Sequence, residues 1–293
     1  MPDIDQYPDN DFIKMLYMGD SGSGKTGSLC SLAAAGYNVR VMDLDKGAQI
    51  LKDYLTNPAS VYKKPFPGLW TADQVKDVAK RMNYVTIQET MQNINGRAVP
   101  KGDAWNKIMA QLTEWKDGEK SYGKLEAWGP NDVLAIDSFS RYCDARVYLE
   151  LVLNARATEG PQLQDYFKVQ NHIERTLELL VSKAVNCHVI LICHVDYIEK
   201  DDKTIRGMPQ AVGKALSPKI GQHFNHTLLA RSQGQGSGKK HKIVTQTTGQ
   251  IDLKTAAPLK VKPEYDLETG LAEYFQAVLG RGPLPAPATP LKP

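Results

Sequence analysis

The chain has 293 residues, 42% of them hydrophobic and 24% charged, which is the make-up of a folded protein able to bury a substantial core. No apolar run approaches the roughly 20 residues that a membrane-spanning helix needs, and the acidic start, residues 1–5, lacks a secretory-signal pattern. A formal net charge of +3 is too small to point to a nucleic-acid partner, so any such binding must come from a local patch.

Residues 1–12 read as a polar lead-in, and the apolar run 13–18 reads as a buried strand. Directly behind it stands Gly19-Asp20-Ser21-Gly22-Ser23-Gly24-Lys25-Thr26, which fits G-x-x-x-x-G-K-[ST]. Residues 27–36, from Gly27 to the stop glycine Gly36, read as a helix. Strand, glycine loop and helix N-terminus thus come in the order a phosphate cradle requires. The glycines let backbone N–H groups turn inward, the helix dipole favours an anion, and Lys25 reaches the β- and γ-phosphates. Thr26 places its hydroxyl on Mg²⁺. The competing reading, an ordinary Gly/Ser turn, explains neither flank. The chain is expected to bind a nucleoside triphosphate through Gly19 to Gly27.

A second strand is expected at 37–45, ending in Asp43 and Asp45. Residues 46–82 are mixed, with turn signals at Asn57-Pro58 and Pro65-Phe66-Pro67-Gly68. A third strand at 83–87 precedes a polar loop with Asn95-Gly96 and Pro100-Lys101-Gly102, then a helix at 103–117. Trp105, Ile108, Leu112 and Trp115 recur there at helical spacing and are read as core rather than as base-stacking residues. The apolar strand 131–138 is closed by Asp137, whose carboxylate can hold the Mg²⁺ shell. An apolar run ending in Asp is common by itself, and Lys25 with Thr26 upstream favour the functional reading.

Two helices follow, the second at 164–185 with Phe167, Ile173, Leu177, Leu180, Val181 and Ala184 on one stripe. The loop between them spans 154–161. A strongly apolar strand at 187–193 ends in His194. Helices alternating with buried strands imply an α/β fold with a mainly parallel sheet covered on both faces. Ligands in such sheets sit at the carboxyl ends of the strands, so Asp45, Asp137 and His194 are expected to gather beside the phosphate loop. Residues 196–223 form a long polar stretch. Strands at 225–231 and 242–247 bracket a flexible turn at 234–238 and read as antiparallel additions on the C-terminal side of the sheet. A last helix is expected at 269–279. The chain divides into a lead-in (1–12), an ATPase core (13–250), an extension with a short helix (251–280) and a tail (281–293) with five prolines in thirteen residues. Cys30, Cys143, Cys187 and Cys193 are scattered without a C-x-x-C and read as buried, reduced thiols. His223 and His226, at i, i+3 on a strand, would face opposite ways and make a poor metal pair.

Many ATPases place a glutamate directly after the strand-end aspartate to polarise water, and Ser138 stands there instead. Asp45 is the candidate base. No arginine cluster of the kind that forms a kinase lid is present.

On Gly19 to Thr26, on Val41-Met42-Asp43-Leu44-Asp45 and on Leu134-Ala135-Ile136-Asp137-Ser138 the sequence resembles the RecA-type recombinase ATPases, in particular the phage relatives that act in single-strand annealing or recombination. The resemblance continues through Leu191-Ile192-Cys193-His194 and covers roughly residues 13–250. It implies a RecA-like fold, ATP and Mg²⁺ as cofactors, and catalytic roles for Lys25, Asp45, Asp137 and His194. The family's acid at the place of Asp45 is usually a glutamate, and its γ-phosphate sensor at the place of His194 is commonly a glutamine. An imidazole can donate the same hydrogen bond; a histidine that merely caps a strand is the plainer alternative.

The same resemblance gives contact with single-stranded DNA to the loops 154–165 and 196–213, with Arg156, Tyr197, Lys200, Lys203 and Arg206 as candidates. Residues 196–242 carry nine Lys/Arg against four Asp/Glu, a local positive footprint, although Asp201-Asp202 would repel a nucleic-acid backbone. Lys214 or Lys219 is the candidate to reach a neighbour's γ-phosphate in a homo-oligomer, filament or ring. The expectation is a cytoplasmic (host cytoplasm, if phage-encoded), DNA-stimulated ATPase of recombination or annealing, with the tail recruiting a single-strand-binding protein. A motor or loader ATPase serving a helicase or packaging machine, and a nucleotide-binding regulator with little hydrolysis, remain open beside it.

Overall fold

Eight strands form one sheet in a computed structural model that describes residues 12–51, 72–199, 203–213, 215–234 and 239–282. The first half of the chain gives β1 (Lys14–Gly19), α1 (Lys25–Ala34), β2 (Asn38–Asp43), α2 (Ala72–Arg81) and β3 (Met82–Thr86). A hairpin of β4 (Met91–Ile94) and β5 (Arg97–Pro100), then α3 (Ala104–Thr113) and the small hairpin β6 (Lys116–Asp117) and β7 (Lys120–Ser121), lead to β8 (Asp132–Asp137). The second half gives α4 (Phe139–Leu153), α5 (Leu163–Val181), β9 (His188–Cys193), β10 (Val195–Glu199) and β11 (Ile205–Pro209). It closes with α6 (Ser217–His223), β12 (His226–Gln233), β13 (Lys240–Val244), β14 (Glu264–Asp266) and α7 (Leu267–Leu279).

The sheet order is β14-β13-β12-β1-β9-β8-β2-β3. Six strands, from β12 to β3, run parallel, and β13 and β14 are added antiparallel at one edge. This is the expected α/β class. The central strands are apolar almost throughout because both of their faces are covered. Along β1, Leu16 and Met18 enter the core with α3, α4 and α5, while Met15 and Tyr17 enter the core with α1 and α7. Every residue of β1 and of β9 is buried, so truncating Ile190 or Leu191 to Ala would cost about 2–5 kcal/mol.

Buried polar groups at the amino ends of these strands are closed off within the protein. His188 accepts from the Ile13 N–H through Nδ1 at 2.9 Å and donates through Nε2 to the Pro130 carbonyl at 2.9 Å. Burial pushes its pKa down to about 4, so it is neutral and doubly satisfied. Lys14 donates to the Val185 and Cys187 carbonyls at 2.8 and 2.9 Å. Arg40 donates to Asp132 at 2.6 Å and lies 4.2 Å from the Trp128 ring centre.

Several local expectations change. The polar stretch around Asn95-Gly96 is a hairpin turn: both residues take positive φ, 52° and 79°, as the tight turn between twisted strands requires. β10 and β11 pair antiparallel within a stretch expected to be a loop. β12 is antiparallel to β13 but parallel to β1, because the preceding α6 returns the chain to the starting edge. β2 stops at Asp43, so Asp45 lies in the following turn rather than at a strand end. α5 ends at Val181, and Phe167 is 68% exposed, not part of the buried stripe. Trp105, Ile108 and Trp115 are core residues as expected, although Trp115 lies beyond α3 and donates through its indole to Asn83 at 2.7 Å. The four cysteines are buried and free. The turn signals at 57–58 and 65–68, the lead-in before residue 12 and the proline tail from 283 lie outside the described residues. Among the described residues no helix is long and apolar enough to cross a membrane.

Candidate nucleotide site

The phosphate loop sits where β1 meets α1. Gly19 must lack a side chain because a β-carbon there would run into the Ala230 carbonyl of the adjoining strand β12. Gly24 holds φ at 90°, a left-handed conformation that strains any residue with a β-carbon. The loop therefore hands the chain directly to the N-terminus of α1, whose free N–H groups and dipole favour an anion. Lys25 and Thr26 are the first two residues of that helix. The Lys25 ammonium folds back on the loop, donating to the Gly19 and Asp20 carbonyls at 2.7 and 2.9 Å. Burial lowers its pKa, with Asp137 the chief opposing influence.

Asp137, the last residue of β8, faces the start of α1 across β9 and β1. Its Oδ2 accepts from the Thr26 hydroxyl at 2.5 Å. Burial pushes its carboxyl up to about 6, and the nearby Asp45 acts in the same direction. Gly47 closes over this pair, so that a β-carbon there would stand 3.7 Å from the Thr26 oxygen and 3.9 Å from Asp137 Oδ2. A threonine hydroxyl beside a buried carboxylate short of positive charge is the donor set that suits Mg²⁺ carried in on phosphates. Among the described residues no cluster of three or more His, Cys, Asp or Glu forms a dedicated metal cage. The doubted pair of His223 and His226 is no site either: His226 is buried and bonded to the Tyr274 hydroxyl at 2.7 Å.

Two aspartates follow β2 and do different work. Asp43 is buried and accepts from the Gly47 and Ala48 N–H groups and from the Thr86 hydroxyl; it shapes the turn. Asp45 stands out from that turn between two nitrogen groups. His194 Nε2 lies 3.6 Å from one of its oxygens, and Arg141 Nε lies 3.3 Å from the other. The His194 ring beside it holds its carboxyl below the usual carboxylate range, against the effect of partial burial, with the Ser138 hydroxyl and then Arg141 assisting. His194 is the residue directly after β9, so Lys25, Thr26, Asp45, Asp137 and His194 do converge at the carboxyl ends of the strands.

The residues expected to meet DNA divide. The β10–β11 hairpin leaves the sheet immediately after His194, and its base is tied to the site: Gln210 donates to the His194 carbonyl at 2.9 Å and bonds Ser140 at 2.7 Å. Tyr197 on this hairpin is 49% exposed and its hydroxyl reaches Asp20 of the phosphate loop at 3.4 Å. Lys203 is near the hairpin tip, and Arg206 on β11 pairs with Asp252 at 3.5 Å. Arg156 lies past the far end of α4, a helix of 15 residues and so about 22 Å long. There it is locked to the buried Asp165 at 2.5 Å, beside the capping box that starts α5. Lys219 on α6 pairs with Glu174 at 3.5 Å. Lys200 and Lys214 lie outside the described residues.

Sequence reasoning missed Arg141, Gln210 and His241. His241 donates from β13 to the Ser23 carbonyl at 3.2 Å, a link across 218 positions that no local pattern reveals. Arg141 had a weak signal, standing one helical turn after Asp137.

No protein-family model and no curated protein matches the chain. Among solved structures it is similar to the flagellar accessory protein FlaH from Methanocaldococcus jannaschii, with 12% identity, 86% of this chain and 83% of that one covered, and a TM-score of 0.39. It is similar to the RadB recombinase, with 11% identity, coverage of 88% and 89%, and a TM-score of 0.43. It is also similar to the KaiC-like protein PH0186 from Pyrococcus horikoshii OT3, with 10% identity, coverage of 87% and 84%, and a TM-score of 0.42.

Proposed function

We propose that the chain is a Mg²⁺-dependent ATPase of RecA type that couples the state of its nucleotide to single-stranded DNA and acts in recombination or strand annealing as a homo-oligomer. The observation that carries the ATPase part is the convergence of the phosphate loop, the Thr26–Asp137 pair and the ionised Asp45 at one end of a parallel sheet. Loop amides from Gly19 to Gly27 and the N-terminus of α1 hold the phosphates, and Lys25 exchanges its loop carbonyls for phosphate oxygens. Thr26 and Asp137 hold Mg²⁺, which when bound offsets the negative charge of the β- and γ-phosphates. Asp45, ionised at neutral pH, accepts a hydrogen bond from the attacking water, orients it and takes its proton. His194 donates toward the γ-phosphate.

The DNA part draws on the β10–β11 hairpin. Its base begins at His194 and its exposed strand offers Tyr197 for stacking, while Lys203 and Arg206 supply charge; Lys200 is proposed with them from the sequence alone. Arg156 belongs to the proposal only if DNA releases it from Asp165. Lys214 or Lys219 of a neighbouring subunit would complete the site in an oligomer.

Steady-state hydrolysis of ATP·Mg²⁺, measured with and without single-stranded DNA, tests this. Strong stimulation is the expected result. Turnover indifferent to DNA would favour a motor or loader awaiting a protein partner, and tight ATP binding without turnover would favour a nucleotide-binding regulator.

A further inference from the structure

We infer that Arg141 is a positioning residue that holds Asp45 in register with the nucleotide. The inference rests on the ATPase reading above and adds a residue that neither the phosphate-loop pattern nor the strand-end acids imply.

Three observations carry it. Arg141 is the third residue of α4, the helix that starts directly after Asp137 and Ser138. A cation in a first helical turn opposes the helix dipole, so the stability of α4 does not explain an arginine there. Its guanidinium instead bridges two carboxylates from separate places in the chain: Nε lies 3.3 Å from Asp45 Oδ1, and a terminal nitrogen donates to Asp144 Oδ2 at 3.1 Å. Asp144 is one turn further along the same helix, so it aims the guanidinium while the Nε edge is left for Asp45. Finally, Asp45 sits on an exposed turn whose backbone is fixed by Asp43 but whose own side chain has no backbone donor among its named partners. An aspartate is one methylene shorter than a glutamate and has less reach. His194, directly after β9, and Arg141, in the first turn of α4, flank its carboxylate from two sides.

The geometry excludes two plainer accounts. An arginine serving only the surface of α4 would be satisfied by Asp144 at i, i+3 and would have no reason to reach across to the turn after β2. A structural staple between α4 and that turn would be buried, whereas the Arg141 side chain is 59% exposed. Solvent screening also bounds the effect: a pair this exposed changes a rate by a small factor, not by orders of magnitude.

Arg141→Gln is expected to lower kcat about fivefold with KM and thermal stability unchanged, the size of effect that an exposed ion pair can carry. Arg141→Lys should recover part of the loss. In an Asp45→Asn background Arg141→Gln should cause no further loss, since the two residues act as one unit. An unchanged kcat in Arg141→Gln, or the same fivefold fall with and without Asp45, would overturn the inference. A second measurement does not need turnover. The Arg141 Nε–H signal in a nitrogen-15 NMR spectrum should move when Asp45 is replaced by Asn, and a signal that stays in place overturns the clamp. Absence of ATPase activity in the unaltered protein would instead defeat the ATPase reading, with the NMR result still deciding the fate of Arg141.

Discussion

The two ends of the parallel sheet bury charged and titratable side chains in opposite ways. At the amino ends, His188, Lys14 and the Arg40–Asp132 pair each find protein partners. At the carboxyl ends, Asp137 is buried and accepts from the Thr26 hydroxyl, Lys25 rests on the carbonyls of its own loop, and Asp45 stands between His194 and Arg141. Stability explains the first set. The second set makes sense as groups held ready for charges that the chain does not itself contain.

That contrast can be broken or sharpened by substitution. The largest effect should come from Asp45→Asn, which keeps the shape and removes the base: kcat for ATP should fall about a thousandfold while nucleotide affinity holds. A small change in single-turnover rate would remove Asp45 from the chemistry. Next is Asp137→Asn. Its carboxyl is held at about 6 against an ordinary 3.8, so the folded chain keeps a proton that the unfolded chain has released. Stability therefore falls as pH rises through the window from about 4 to about 6, by about 3 kcal/mol, and stays lower above it. The neutral Asp137→Asn should then be more stable than the parent at pH 7 in denaturant unfolding, with the gain gone near pH 3.5. A loss of stability at pH 7 would mean that Asp137 is a structural residue like those at the other end.

Arg40→Ala should behave oppositely. It removes the cation paired with the Asp132 carboxylate, which is only 17% exposed and keeps just the Asn38 and Gly129 donors, and should destabilise the fold by roughly 1–3 kcal/mol without touching nucleotide binding. The smallest and most diagnostic change is Arg156→Ala. Because Arg156 neutralises buried Asp165, its removal should lower the melting temperature, whether or not DNA is present. Weaker DNA binding at an unchanged melting temperature would restore it to the DNA surface.

The nucleotide end was more legible in the sequence than the rest of the molecule, for a physical reason. A phosphate loop is made from consecutive backbone groups, so Gly19, Gly24, Lys25 and Thr26 carry its geometry in their order. Asp137 follows from the apolar strand that precedes it. Asp45, expected at a strand end, lies in the turn after β2, yet that turn still brings it beside His194. Side-chain contacts made across the fold left no such trace. His241 reaches Ser23 from another strand, and Arg141 reaches Asp45 from a helix. The direction of β12 depends on how α6 returns the chain, which periodicity does not encode. At Asn95-Gly96 the turn chemistry of a hairpin outweighs the polar character that suggests a loop. Phe167 fell outside the core because α5 presents that turn to solvent, which a helical stripe alone cannot tell from burial.

The central claim is that the carboxyl end of this sheet is a triphosphate site in which Lys25 is indispensable. Isothermal titration of ATP·Mg²⁺ into the full chain and into Lys25→Ala tests it most directly. Saturable one-to-one binding to the parent is expected, with an affinity at least about a hundredfold weaker in the variant, as befits loss of a charge aimed at the phosphates. Equal affinity in the two proteins, with both folded, would contradict it.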